Sequence, residues 1–104
     1  MKYKFRVFNK NNNQMDYDYY LLKDTYMNDF LNSDYLVFMR CHGFVDKNEK
    51  EVYEGDILKC WDATGQLLYG GKPICIGLWT PHNRSDLIEI VGNKWERPDM
   101  PRID

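Results

Sequence analysis

Cys41 and His42 are the first residues that could do chemistry: a thiol beside an imidazole, with Asp46 nearby as a carboxylate to orient it. A nucleophile and its base must meet through space, and adjacency in the chain does not achieve that. Successive side chains of a strand point to opposite faces, so Cys41 and His42 are directed apart. A small buried hydrophobe accounts better for Cys41. With Cys60, Cys75 and His82 these two would make a set of zinc-type ligands. The spacing is wrong, since the sequence has no Cys-x₂₋₄-Cys pair and no His-x₃₋₅-His pair. Gly65, Gly70 and Gly71 lack the Lys-Ser/Thr that completes a phosphate loop. Carboxylates are plentiful, but no pair stands out for glycosidase-type acid–base work. The expectation is a non-enzymatic protein with no catalytic residue, no metal and no cofactor.

The first strand offers a surface instead. In KYKFRVF, residues 2 to 8, Tyr3, Phe5 and Val7 share one face and Lys2, Lys4 and Arg6 the other. Lys4 and Arg6, joined by Lys59 and Trp61, could form a cationic, aromatic patch. Such patches hold single-stranded nucleic acid by backbone attraction and base stacking. The competing reading is a solvated strand face whose lysines guard a sheet edge. The formal net charge of −2 favours that reading, because phosphate contacts dominate nucleic-acid affinity and dedicated binders are basic.

The elements that must position these residues are mostly short strands. The first strand ends in Asn9-Lys10-Asn11-Asn12-Asn13, whose asparagines tolerate left-handed backbone and bond to their own main chain. A second strand over Met15 to Leu22 pairs back on the first. Asp24 reads as an N-cap for a short helix, Thr25 to Leu31, with Tyr26/Phe30 and Met27/Leu31 as its apolar stripe. Tyr35 to Arg40 is an apolar, β-rich run. Further strands are expected over Ile57 to Trp61, Gln66 to Tyr69, Pro73 to Thr80 and Asp86 to Val91. Pro98 and Pro101 keep the tail extended.

A chain of 104 residues has the size of one domain. Its 43% hydrophobic and 29% charged residues are a globular balance, and its 15% aromatic content serves core filling. Three cysteines without a secretory signal point to reduced thiols and a cytoplasmic location. No apolar run approaches the ~20 residues that span a bilayer, so no membrane partner is expected.

EVYEGDILK, residues 51 to 59, places a glycine-centred hinge directly before a strand. Gly55 can take positive φ without penalty, and Asp56 can accept a backbone N–H and fix the bend. Around this hinge the chain resembles the YopX family of small phage and prophage proteins. KFRVFNKNNNQM, then FMRCHGFVDKNEKEVYEGDILK, then IEIVGNKWERPDM follow the family's three blocks in order and spacing, over roughly half of the chain. The central block is the most specific. Glu49 departs from the pattern, standing where a glycine usually follows Asn48, and a longer hairpin loop with Asn48 left-handed is expected there. Cys41-His42 and Arg97 depart too. The residues shared with the family are Lys4, Phe5, Arg6, Gly43, Tyr53, Gly55, Asp56, Gly92 and Asn93. Most are turn or core types, which fits a fold signature better than an active site. The resemblance implies an accessory protein and an oligomer-former, and carries over no enzymatic activity.

These readings converge on one β-rich α+β domain over residues 1–104, a small, strongly bent SH3-like barrel or sandwich with one short helix. The expected partners are copies of itself and a host or phage protein, with nucleic acid as the alternative.

Overall fold

The computed structural model describes the backbone of residues 2–22 and 33–104. Seven strands run through these residues: β1 Lys2–Asn9, β2 Gln14–Leu22, β3 Leu36–Val45, β4 Glu51–Tyr53, β5 Asp56–Cys60, β6 Ile74–Cys75 and β7 Ile88–Asn93. Two short 3₁₀ turns, Tyr69–Gly71 and Ser85–Leu87, are the helical elements among the described residues. The expected helix at Thr25 to Leu31 lies outside the described residues. The strand-rich reading therefore holds.

Hydrogen-bonded neighbours follow the order β2-β1-β3-β4 in one sheet and β6-β5-β7 in the other. Contacts divide the chain into two compact units, Met1–Cys41 and His42–Asp104, so β3 belongs to both.

In the first unit β1 pairs antiparallel with β2 on one side and β3 on the other. The asparagine turn between β1 and β2 forms as its sequence predicts. Asn9 Oδ1 accepts the Asn11 amide at 2.9 Å, Asn12 Oδ1 accepts the Gln14 amide at 3.1 Å, and Asn13 has φ 57°. The β1–β2 register shifts between Phe5 and Val7. Phe5 faces Tyr19 and Val7 faces Asp16, so Tyr17 and Asp18 together oppose Arg6, which is a bulge. Phe5, Arg6, Val7 and Phe8 are all buried.

The second unit is built on β5. Ile57, Leu58 and Cys60 are buried, with Val52, Ile74, Ile76 and Ile88 around them. Full burial of a Val, Leu or Ile side chain contributes about 1.5–3 kcal/mol each, so this cluster is the main source of the unit's stability. The apolar run ILKC thus reads correctly as a core strand. The segment after it does not follow expectation. Gln66 to Tyr69 makes a single bridge, Trp61 with Leu67, and Pro73 to Thr80 shortens to the two residues of β6.

Three successive residues, Tyr69, Gly70 and Gly71, have φ of 58°, 63° and 84°. The turn is therefore left-handed. Glycine adopts this backbone freely, whereas a side-chain-bearing residue there costs roughly 1–2 kcal/mol.

Candidate interaction surface

The hinge that opens β5 behaves as its residue types require. Gly55 has φ 86°, and Asp56 Oδ2 accepts the Tyr53 amide at 2.8 Å. Asp56 is 1% exposed and Tyr53 3%. Both backbone polar groups of Gly55 are used as well: its amide donates to Ile76 O at 2.8 Å, and its carbonyl accepts the Lys94 amide at 3.0 Å. This hinge ties β4, β5 and the segments after β6 and β7 together.

Two loops of identical construction flank it. Asp46 Oδ1 accepts the amides of Asn48 and Lys50, each at 2.9 Å, while the Asp46 amide donates to Lys50 O at 2.8 Å. Asp62 Oδ1 accepts the amides of Thr64 and Gln66, at 2.9 and 3.0 Å, and the Asp62 amide donates to Gln66 O at 2.9 Å. Thr64 Oγ1–H also donates to Asp62 Oδ1, at 2.6 Å. These bonds, the hydroxyl's first, hold the Asp62 carboxyl below its ordinary range. The fourth position of each loop is left-handed, Glu49 with φ 65° and Gly65 with φ 87°. The expectation that Asn48 is the left-handed residue is corrected: Glu49 itself takes the glycine conformation, because the Asp46 hydrogen bonds fix the loop's length and register.

Beyond β6 the chain turns outward. Leu78 is 79% exposed and Trp79 63%. The tip is anchored at its base, where His42 Nε2–H donates to Gly77 O at 2.8 Å. A carbonyl can only accept, so the bond assigns the proton to Nε2. His42 also lies 5.8 Å, ring to ring, from Phe44. His42 is thus a strut for this tip. Sequence reasoning missed the tip because ICIGLW reads as one apolar strand; Gly77 and Pro81, which bracket it, were the signal.

The residues proposed from sequence as a cationic patch are differently placed. Lys4 and Arg6 lie in the first unit, Lys59 and Trp61 in the second. Arg6 is 2% exposed, which corrects its assignment to a solvated basic face. Phe5, Val7 and Phe8 are buried too, and successive side chains alternate faces, so β1 is covered on both faces there. Trp61 has Lys47 Nζ 4.9 Å from its ring centroid, and the same ammonium is 3.7 Å from Glu89 Oε2. Lys59 stands across from Glu89 in the β5–β7 register. A base stacking on that face of Trp61 must first displace Lys47.

The remaining motif residues sit in the core, at turns and at close backbone approaches. Phe5 is in the core of the first unit. Gly43 has φ 87° within β3. A Cβ on Gly92 would stand 3.1 Å from Met100 Cε, so the tail packs directly on that backbone. Asn93 Oδ1 accepts the amides of Trp95 and Glu96, at 3.1 and 2.9 Å, and its Nδ2 donates to Glu96 Oε1 at 2.7 Å. Among the described residues no three of His, Cys, Asp and Glu gather as a metal site. No helix among them is long and apolar enough to cross a membrane.

A search of curated proteins finds no match to this chain. A family model described as YopX protein matches residues 4–69, which is more than half of the chain and takes in β1 to β5 with the hinge. The chain belongs to the YopX family.

Proposed function

We propose that this protein is a non-enzymatic phage or prophage accessory factor, cytoplasmic in the bacterial host, that acts by binding a host or phage protein. The observation that carries the proposal is the Leu78–Trp79 tip. Two large apolar side chains stand 79% and 63% exposed on a short loop braced by a hydrogen bond at its base. Leaving them in water forgoes about 1.5–3 kcal/mol of burial for each. Tryptophan is enriched at the buried centre of protein interfaces, and the neighbouring leucine adds apolar area to it. Family membership supports the phage or prophage setting, and the many short strands are in keeping with an SH3-like barrel. Self-association through the same apolar tip is a further part of this reading.

The nucleic-acid alternative has less support, because Arg6 is buried and Lys47 covers one face of Trp61.

The test is affinity capture from bacterial lysate with the wild type and with Leu78→Ala/Trp79→Ala, each with and without nuclease. A defined protein partner that survives nuclease and is lost from the double variant is the expected result. Partners that vanish with nuclease, or that the double variant retains, overturn the proposal.

A further inference from the structure

We infer that Tyr69 is a partner-contact residue, displayed by its left-handed turn for an apolar groove with an acidic rim on another protein. The inference deepens the protein-binding reading above and rests on it.

Tyr69 holds a costly backbone conformation, and its hydroxyl has no hydrogen bond among the described residues. Its φ of 58° belongs to a turn whose other two residues are glycines. Its side chain is 37% exposed and, among the described residues, makes no hydrogen bond, ion pair or ring contact. A glycine or asparagine would hold the same turn with less strain. Backbone strain of this kind clusters at binding sites, where a strained residue works on something outside the fold. Leu67, 46% exposed, leans on the same turn: its Cδ1 is 3.9 Å from where a Cβ on Gly71 would stand. An exposed tyrosine beside an exposed leucine can bury apolar area and still offer a hydroxyl to an acceptor.

Charge selects the kind of groove. Residues 63–85 contain no Asp or Glu, although the chain has 16 acidic residues. The two carboxylates that bracket this stretch are already occupied. Asp62 closes its own loop, and Asp86 holds Arg84 at 2.9 Å. Lys72, whose amide donates to Tyr69 O at 3.2 Å, is exposed and has no ion pair among the described residues. A carboxylate on the partner's rim complements it, whereas a basic rim would be repelled.

The test places the photo-crosslinking residue p-benzoylphenylalanine at position 67 of the full chain and irradiates it in bacterial lysate. The expected crosslink is to a protein segment that is apolar and flanked by Asp or Glu. Tyr69→Gly should lower the yield by about fivefold or more without lowering the melting temperature, so misfolding cannot explain the loss. Lys72→Glu should lower it as well. A yield unchanged by Tyr69→Gly overturns the inference, as does a crosslink to a segment without carboxylates, to nucleic acid, to lipid or only to a second copy. If Leu78→Ala/Trp79→Ala abolishes capture while Tyr69→Gly does not, this inference fails and the protein-binding reading stands. If no variant changes capture, both fail.

Discussion

Asp46 Oδ2 accepts the amide of Ile90 at 3.0 Å, joining residues 44 apart in the chain. The other carboxylate oxygen closes the Asp46–Lys50 loop, and the Lys47 amide donates to Ile88 O at 3.0 Å. One side chain thus shapes the β3–β4 loop and seals the side of β7 that β5 leaves open. Asp46 is 1% exposed, so its carboxylate depends on these three amides rather than on water.

Asp46→Ala should therefore destabilise the protein by about 2–4 kcal/mol, because hydrogen bonds to a carboxylate are strong and three amides lose their acceptor together. Urea unfolding measures it. A loss below about 1 kcal/mol would mean the loop reorganises to satisfy those amides.

Glu49 and Gly65 occupy equivalent left-handed positions, and only one of them is glycine. Glu49→Gly should stabilise by about 0.5–1 kcal/mol, the relief of the left-handed backbone less the added freedom of the unfolded glycine. Gly65→Ala should destabilise by roughly 1 kcal/mol, since no atom lies within 4 Å of the added Cβ and only the backbone objects. Paired denaturation curves decide this. Effects of the same sign would show that the two loops are not alike.

The Asp62 carboxyl titrates below its ordinary range, chiefly through the Thr64 hydroxyl and then the Gln66 amide. A group depressed in the folded state contributes stability above its unfolded pKa, and that contribution is lost as pH falls through the folded value. Asp62→Ala should therefore lower the urea midpoint at pH 7, and the gap from wild type should narrow in the acid range. A gap that is constant from pH 7 down to about 3 would rule out the charge as its source.

Cys60 is 1% exposed, and burial pushes its thiol up to about 11. The folded state holds this proton more tightly than the unfolded one. Its contribution is complete below the ordinary thiol range and is lost as pH rises toward about 11. Burial raises the Cys75 thiol too. At pH 8 the native protein should leave Cys60 unmodified by a disulfide reagent, and denaturant should expose all three thiols. Rapid native labelling of Cys60, located by peptide mapping, would contradict the burial that shifts it.

What the sequence determined by itself is what short-range chemistry controls. The asparagine turn, the alternation of β1 and the apolar run of β5 need only neighbours within a few residues. So does the Gly55-Asp56 hinge, whose partner Tyr53 is three residues away, and its local specificity is also why the family could be read from it. Tertiary structure decided the rest. Period-two alternation assigns Arg6 to a polar face, but the fold covers both faces of β1 from Phe5 to Phe8. Residue preference assigns left-handed backbone to Asn48, but the Asp46 carboxylate, tied to Ile90 across the fold, sets a register that delivers it to Glu49. ICIGLW reads as one buried strand, yet only its first three residues, Ile74 to Ile76, bond to β5 and the hinge before it. The chain beyond turns away, and Leu78 and Trp79 remain in water because pairing partners, not hydropathy, decide where a strand ends.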